Sequence, residues 1–392
     1  MSKCNAAAAL LFNKSRFLPT VDLDFTNMGG VLDSRFTFVR ALAGTYINSA
    51  GLVATGTANT ARFTYDPTTL LPLGLLNEGS AQNLLNFSET FATTGGANNN
   101  WANVSLTRTS TNNTSPRNDA TALRLTATAT NATIISTASL SAGNVLHTLS
   151  VWMRRVTGTG NIQFTLNNGT TWTTQAITTL WVRYTFPAVQ SSAKRVGFRV
   201  TTNNDAIELW GVQLETGNGS SSYIPTTTAR VTRDCDDCRI TDLSAFKYSQ
   251  LQGSLYASGV ITKSGSNSLI LAGFYNEGAD VQCLAFVTDS ASNLESKASD
   301  GGDTSSTNFT YSLNTAYNFG LSYNFALGTS ALISCVNGAN AQTSTTALGS
   351  TENSDMFNFG EAADGNFAHG TIARVKYWPT AKTAAELVAI TL

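Results

Sequence analysis

Trp172 lies in the run Asn167-Asn168-Gly169-Thr170-Thr171-Trp172-Thr173-Thr174-Gln175, among amides, hydroxyls and a turn signal. An indole ring at such a turn can stack on the apolar face of a sugar, while neighbouring amides and hydroxyls take the sugar's own hydroxyls. The competing reading is packing at a sheet edge. Trp101 in NNNWANV and Trp181 in TLWVRYTF stand at strand starts and are open to either role. Tyr275 and Asn276 in GFYNEG form a similar loop candidate. Trp152 in SVWMRR and Trp210 in LWGV sit inside long alternating strands, so core packing is the better reading for both.

Hydrolytic chemistry is poorly equipped. A glycosidase needs two carboxyl groups about 5–10 Å apart across one cleft. Glu208 and Glu215 in IELWGVQLE are the tempting pair. Regular alternation puts Trp210, Val212 and Leu214 on one face, and the seven-residue offset puts the two glutamates on opposite faces. His147 and His369 are the two histidines, and neither neighbours a nucleophile motif such as GxSxG. There is no P-loop and no dinucleotide fingerprint. The expectation is a binding or structural protein, not an enzyme, with no catalytic residues and no cofactor.

Two further clusters could hold a metal or a redox pair. Cys235 and Cys238 form a CxxC within RDCDDCR. Zinc would need two more ligands, and the histidines are remote and lack ligand spacing. A redox CxxC opens a helix after a strand, which nothing here suggests. That leaves two separate thiols or one local disulfide between Cys235 and Cys238. The total of five cysteines, with Cys4, Cys283 and Cys335, argues against a full disulfide framework. Cys283 and Cys335 lie in strand-like runs and are expected to be buried. Asp300 and Asp303 in SDGGDTSS offer oxygen ligands for calcium but lack EF-hand spacing, and an ordinary turn is the competing reading.

These groups need positioning elements, and composition says which kind. Of the 392 residues 42% are hydrophobic, but only 12% are charged, about half the usual share. Such a chain cannot clothe long helices in ion pairs, but it can make many strands with hydroxyl and amide faces. A net charge of −1 gives no basic surface for nucleic acid and no polybasic membrane anchor. No run approaches the ~18–20 apolar residues of a membrane span. The short run from Ala6 to Phe12 lacks signal-peptide length and is expected to stay in the mature chain.

The reading is all-β: two antiparallel β-sandwich (jelly-roll) domains after a short irregular β region, closed by a short C-terminal helix. Residues 1–85 hold brief β-like runs broken by Gly, Asn and Pro, unable to bury a core alone, so they should dock on a neighbour or another chain. Residues 86–235 hold ALRLTATA, TLSVWMRR, IQFTLNNG, VRYTF, RVGFRVTT and IELWGVQLE at sandwich rhythm. After them, TGNGSSS stops a strand and SYIPTTTARVTRD is an extended exit segment. Residues 236–392 repeat the pattern and end in the capping box Thr383-Ala384-Ala385-Glu386, with Leu387 and Ile390 at helical spacing. No heptad run provides a coiled-coil stalk.

The segment TYINSAGLVATGTANTARFTYDPTTLLPLGLLNEGSAQNLLNFSETF resembles a module of tailed-phage virion proteins. The succession SVWMRR, WVRYTF, ELWGVQLE and SYIPTTTARVTRD is similar to the carbohydrate-binding-module-like jelly rolls of phage fibres, spikes and head fibres. Together these cover roughly residues 25–235. The ending GTIARVKYWPTAKTAAELVAITL is similar to that of concanavalin A-like or laminin-G-like sandwiches. Where such modules continue past "TR" with apolar or Ala-Asp residues, this chain has CDDC.

The resemblance implies a virion-surface appendage, a short tail fibre or spike, anchored to capsid or tail proteins through residues before about 85 and contacting host-surface glycans. A homo-oligomer, a trimer, is implied with it. The second reading is a capsid decoration or head-fibre protein that mainly binds other virion proteins. A glycan-degrading tailspike is the third.

Overall fold

Alternating apolar and polar residues, with Thr, Val, Ile and aromatics enriched, drive this chain into antiparallel sheets. The computed structural model describes residues 18–91, 101–110, 114–137, 144–191, 195–263, 269–277, 281–288, 293–325, 331–339, 341–344, 346, 348–359 and 369–392. The run from Ala6 to Phe12 and Cys4 lie outside these. The chain folds as two compact units, each built from separate stretches. No helix among the described residues is long and apolar enough to cross a membrane.

One unit comprises residues 43–55 and 80–234. Its first sheet runs in the order Val182–Ser191, Val145–Thr157, Ala206–Thr216, Leu123–Ala127 and Leu106–Thr109. Its second runs Thr173–Gln175, Ile162–Thr165, Gly197–Val200, Ala132–Ser136 and Trp101–Val104. Their inward residues, among them Leu125, Ile134, Val151, Phe164, Phe198 and Leu214, form one buried core.

The strand Ala206–Thr216 departs from regular alternation. Gly211 has φ 63°, and the register against Val145–Thr157 slips between Ser150 and Trp152. This is a bulge, which adds one residue and reverses the facing of the residues beyond it. Ile207, Leu209, Val212 and Leu214 therefore enter the main core. Trp210 joins Trp152, Tyr223, Val53 and Ala122 in a second cluster on the sheet's outer surface. Two expectations change: Trp210 does not share a face with Val212 and Leu214, and Glu208 and Glu215 do share one.

The extended segment after Thr216 does not leave this unit. Val231–Arg233 pairs with Ala81–Asn83. Tyr223 and Ile224 are buried. Buried Asn83 donates through Nδ2 to the Val212 and Ile224 carbonyls (3.1 and 3.0 Å) and accepts through Oδ1 from the Leu85 and Leu214 amides (3.1 and 3.2 Å). Thr226 Oγ1 donates to the Leu85 carbonyl at 2.7 Å, and the Ser88 hydroxyl lies 2.7 Å from that of Tyr223. The stretches QNLLNFSETF and SYIPTTTARVTRD, which both carried the phage-module resemblance, are thus bonded to each other.

The other unit comprises residues 18–42, Gly56–Gly79 and Cys235–Leu392. One sheet runs Gln342–Ser344, Ala331–Val336, Ala316–Asn324, Gln252–Lys263, His369–Trp378, Pro72–Asn77 and Arg62–Tyr65, and Val21–Asp24 also pairs with His369–Trp378. The second runs Thr37–Val39, Asp237–Ile240, Met356–Phe359, Leu269–Asn276, Val281–Thr288, Asn293–Ser299 and Thr304–Thr310. Leu23, Phe25, Phe274, Phe286, Leu321 and Tyr377 are among the residues of its core. Residues before 85 therefore complete sheets within this chain: Val21–Asp24 and Pro72–Asn77 pair with His369–Trp378 and Thr37–Val39 pairs with Asp237–Ile240, while 43–55 and 80–85 belong with the first unit.

The helix Ala384–Thr391 follows the predicted capping box. Thr383 Oγ1 accepts from the Glu386 amide, and the Glu386 side chain accepts from the Thr383 amide. Leu387 is fully buried. Thr383→Ala is expected to cost about 1 kcal/mol, read as a lower midpoint in chemical unfolding.

Candidate functional site

The hairpin linking Ile162–Thr165 to Thr173–Gln175 turns on Asn168 and Gly169, with φ of 60° and 79°. Asn-Gly tolerates two consecutive left-handed residues, which is why the chain reverses here. Buried Thr165 secures the turn: its Oγ1 accepts from the Asn167 and Gly169 amides (3.2 and 3.0 Å) and donates to Asn167 Oδ1 (2.9 Å). Asn167 Oδ1 also accepts from the Thr171 amide at 3.0 Å. The loop thus presents Trp172, half-buried, beside the outer surface of the second sheet.

Register supplies its partners. Thr174, Gln163, Arg199, Thr133 and Val104 stand opposite one another on five adjacent strands. They alternate with Ile162, Phe164, Phe198, Val200 and Ile134, which fill the core, so this row faces outward. The Arg199 guanidinium carbon lies 4.5 Å from the Trp172 ring centroid. Its Nε donates to Gln163 Oε1 at 2.6 Å, and Nη2 donates to the same oxygen. Gln163 Nε2 donates to Thr174 Oγ1 at 3.2 Å. The result is an outward patch with one indole, one guanidinium, amides and hydroxyls, suited to a polyhydroxylated ligand.

The other aromatic candidates are placed differently. Trp101 is 1% exposed, between Phe91 and Phe198 at 5.0 and 6.4 Å. It is a core residue and not a contact surface. Trp181 is half-buried on the outer surface of the first sheet, where Nε1 donates to the Thr114 carbonyl at 3.1 Å. Arg154 lies over its ring at 4.9 Å. Tyr275 is 4% exposed and sits in the strand Leu269–Asn276, not in a loop. Its carbonyl accepts from the Asp355 amide at 3.1 Å and from Ser354 Oγ at 2.9 Å. Asn276 ends that strand, half-buried opposite Val281. Tyr275 and Asn276 belong to the other unit and are not part of the Trp172 surface.

The two glutamates share a face but are held by partners. Glu208 is buried and receives Arg124 Nη2 at 2.7 Å and Arg154 Nε at 2.5 Å. Glu215 accepts from the Ser221 amide at 2.9 Å, Ser221 Oγ at 2.7 Å and Gln213 Nε2 at 2.7 Å. Glu208 ties Arg124 and Arg154 of the two adjacent strands, and Glu215 holds Ser221 of the returning segment.

CDDC is an ion-pair node. Asp236 is fully buried and accepts from Arg40 Nη1 at 2.9 Å, Arg62 Nη2 at 2.5 Å and the Glu78 amide at 2.9 Å. Arg62 also reaches Glu78 Oε2 at 2.9 Å. Burial disfavours the Arg62 charge, but the Glu78 and Asp236 carboxylates outweigh it and raise its pKa. Asp237 pairs instead with Arg239. Cys235 and Cys238 are not joined by a disulfide. They are three residues apart on nearly extended chain, which points them to opposite sides. Cys238 is in the core, its thiol pushed well above the ordinary value by burial and then by Asp236 and Asp237. Cys283 and Cys335 are buried too. The Cys283 thiol is pushed up to about 12, chiefly by burial.

Asp300 Oδ1 accepts from the Gly302 and Asp303 amides at 3.0 and 2.7 Å, and these bonds hold its carboxyl below the usual value. That carboxylate shapes the hairpin between Asn293–Ser299 and Thr304–Thr310. Among the described residues no group of three or more His, Cys, Asp or Glu is placed to hold a metal. A cleft of about 180 Å³ lined by Phe25, Asn27, Phe63, Tyr65 and Pro72 gave no sign in the sequence, because it forms where distant strands meet. None of its lining residues is charged.

No family model matches the chain, and no curated protein matches it. Among solved structures, the carbohydrate-binding module CBM40 of the Ruminococcus gnavus IT-sialidase is similar. It has 14% identity over 45% of this chain and 93% of the module, with a TM-score of 0.32. A structure concerned with botulinum neurotoxin type C, whose cell entry depends on interaction with two ganglioside molecules, shows 13% identity. It covers 40% of each chain, also at 0.32. Trypanosoma rangeli sialidase shows 9% identity over 68% of this chain and 50% of its own length, at 0.32. At this degree of likeness, function is read from this chain's own residues.

Proposed function

We propose that this protein is a carbohydrate-binding β-sandwich protein displayed on the surface of a phage particle, as a short fibre or spike. The observation that carries glycan binding is the Trp172 patch: a half-buried indole under Arg199, in register with Gln163, Thr174 and Thr133. Binding without cleavage is favoured because Glu208 and Glu215 are committed to arginine, serine and glutamine partners. The particle setting rests on the resemblance of residues 25–235 to phage virion modules. It gains support from the mutual bonding of the two stretches that carry it.

Attachment would run through the first 85 residues. Leu18, Val31, Val39, Leu42, Leu70 and Leu71 are large aliphatics left exposed there, a surface that other virion proteins could cover. A homotrimer is the assembly that the resemblance implies. Screening the full chain on a glycan array tests the binding reading. The wild type is expected to bind a glycan that Trp172→Ala binds about tenfold or more weakly. A wild type that binds no glycan at millimolar concentration contradicts it.

A further inference from the structure

We infer that the Trp172 patch selects acidic glycans, those carrying a carboxylate, through Arg199; this rests on the glycan-binding reading above. The charge on this sheet surface is unbalanced. The outward row is Thr174, Gln163, Arg199, Thr133 and Val104, and the next is Thr165, Gly197, Ile135 and Ala102. Neither row contains a carboxylate. Arg199 spends Nε and Nη2 on one neutral oxygen of Gln163, and its Nη1 has no acceptor among the described residues.

A second cation stands beside the same turn: Arg195 bridges to Asn167, and its Nη1 lies 3.4 Å from Asn168 Oδ1. Among the described residues neither Arg195 nor Arg199 has a carboxylate partner. The contrast with the opposite sheet is direct, since there the arginine stacked on Trp181, Arg154, is paired with buried Glu208.

A guanidinium 4.5 Å from an indole centroid and bonded through Nε and Nη2 to one amide oxygen keeps its remaining donors in fixed directions. Those donors match the two oxygens of a carboxylate, and holding them in place lowers the entropy lost on binding. Gln163 Oε1 accepts from two of the guanidinium's nitrogens, and the Trp172 ring lies beside it. A sugar carboxylate at the free Nη1 side would bring its pyranose ring into the neighbourhood of Trp172.

The test uses the full chain and printed pairs of glycans that differ only in charge: oligogalacturonate, hyaluronan oligosaccharide and oligosialic acid, each beside its methyl ester. At least one acid is expected to bind about tenfold more tightly than its ester. In Arg199→Gln, checked for an unchanged thermal transition, that preference should fall to near one. For the wild type, raising salt from about 0.05 to 0.5 M should weaken binding of the acid and not of the ester. Equal binding of acids and esters overturns charge selection while leaving glycan binding in place. A preference that survives in Arg199→Gln overturns the role of Arg199. Binding of no acid and no ester overturns both readings.

Discussion

Asp236→Ala is expected to lower the stability of the unit that contains it by about 3–5 kcal/mol. The carboxylate is fully buried and is the shared acceptor for Arg40, Arg62 and the Glu78 amide. Its removal strands two guanidinium groups where water cannot replace it. Arg40 retains the Leu42 and Thr57 carbonyls at 2.7 Å each, and Arg62 retains Glu78, but neither set neutralises both charges. Arg40, Arg62 and Glu78 come from early in the chain, and Asp236 lies at least 158 residues further on. The node therefore fastens the N-terminal strands to the sandwich that they complete. In calorimetry the shift should be about 6–20 °C in one transition. Asp237→Ala is the control, since its pair with Arg239 is partly exposed and contributes about 1 kcal/mol or less. Equal effects from the two variants would refute the assigned roles.

Trp210→Ala is expected to cost about 3–5 kcal/mol in the other unit. Trp210 is fully buried, its ring 5.3 Å from Trp152 and 4.8 Å from Tyr223. Its Nε1 donates to Thr121 Oγ1 at 2.8 Å, and Arg117 lies over the ring at 4.9 Å. Losing it opens a cavity under Tyr223, the residue that anchors the returning segment. The transition that moves should be the one that Asp236→Ala leaves in place. Movement of a single common transition in both variants would contradict two separately cored units.

The all-β class, the sandwich strands and the capped terminal helix were legible because period-two alternation and a Thr-x-x-Glu box are local signals. What stayed hidden depends on contacts between distant residues. Gly211 reads as one more small residue in a strand, yet its left-handed backbone reverses the facing of Glu215 and Gln213 relative to Glu208. Trp101 was open to either role and Tyr275 was a loop candidate because polar residues adjoin them, but burial is decided by strands that pair across long separations. Trp172 was visible as a candidate from its turn. Arg199 and Gln163 were not, because nothing local says that Gly197–Val200 pairs with Ile162–Thr165 in the register that sets Gln163 against Arg199. In CDDC the cysteines drew the reading and Asp236 did not, because the arginines that pair with it lie more than 170 residues away.

Hydrogen exchange measured with and without the tightest array glycan tests the central claim most directly. Bound glycan should slow exchange in residues 162–175 and 195–200, which carry Gln163, the Asn-Gly turn, Trp172, Arg195 and Arg199. Protection confined to other strands, such as those around Tyr275 or Trp181, with no change in these two stretches, would contradict the site.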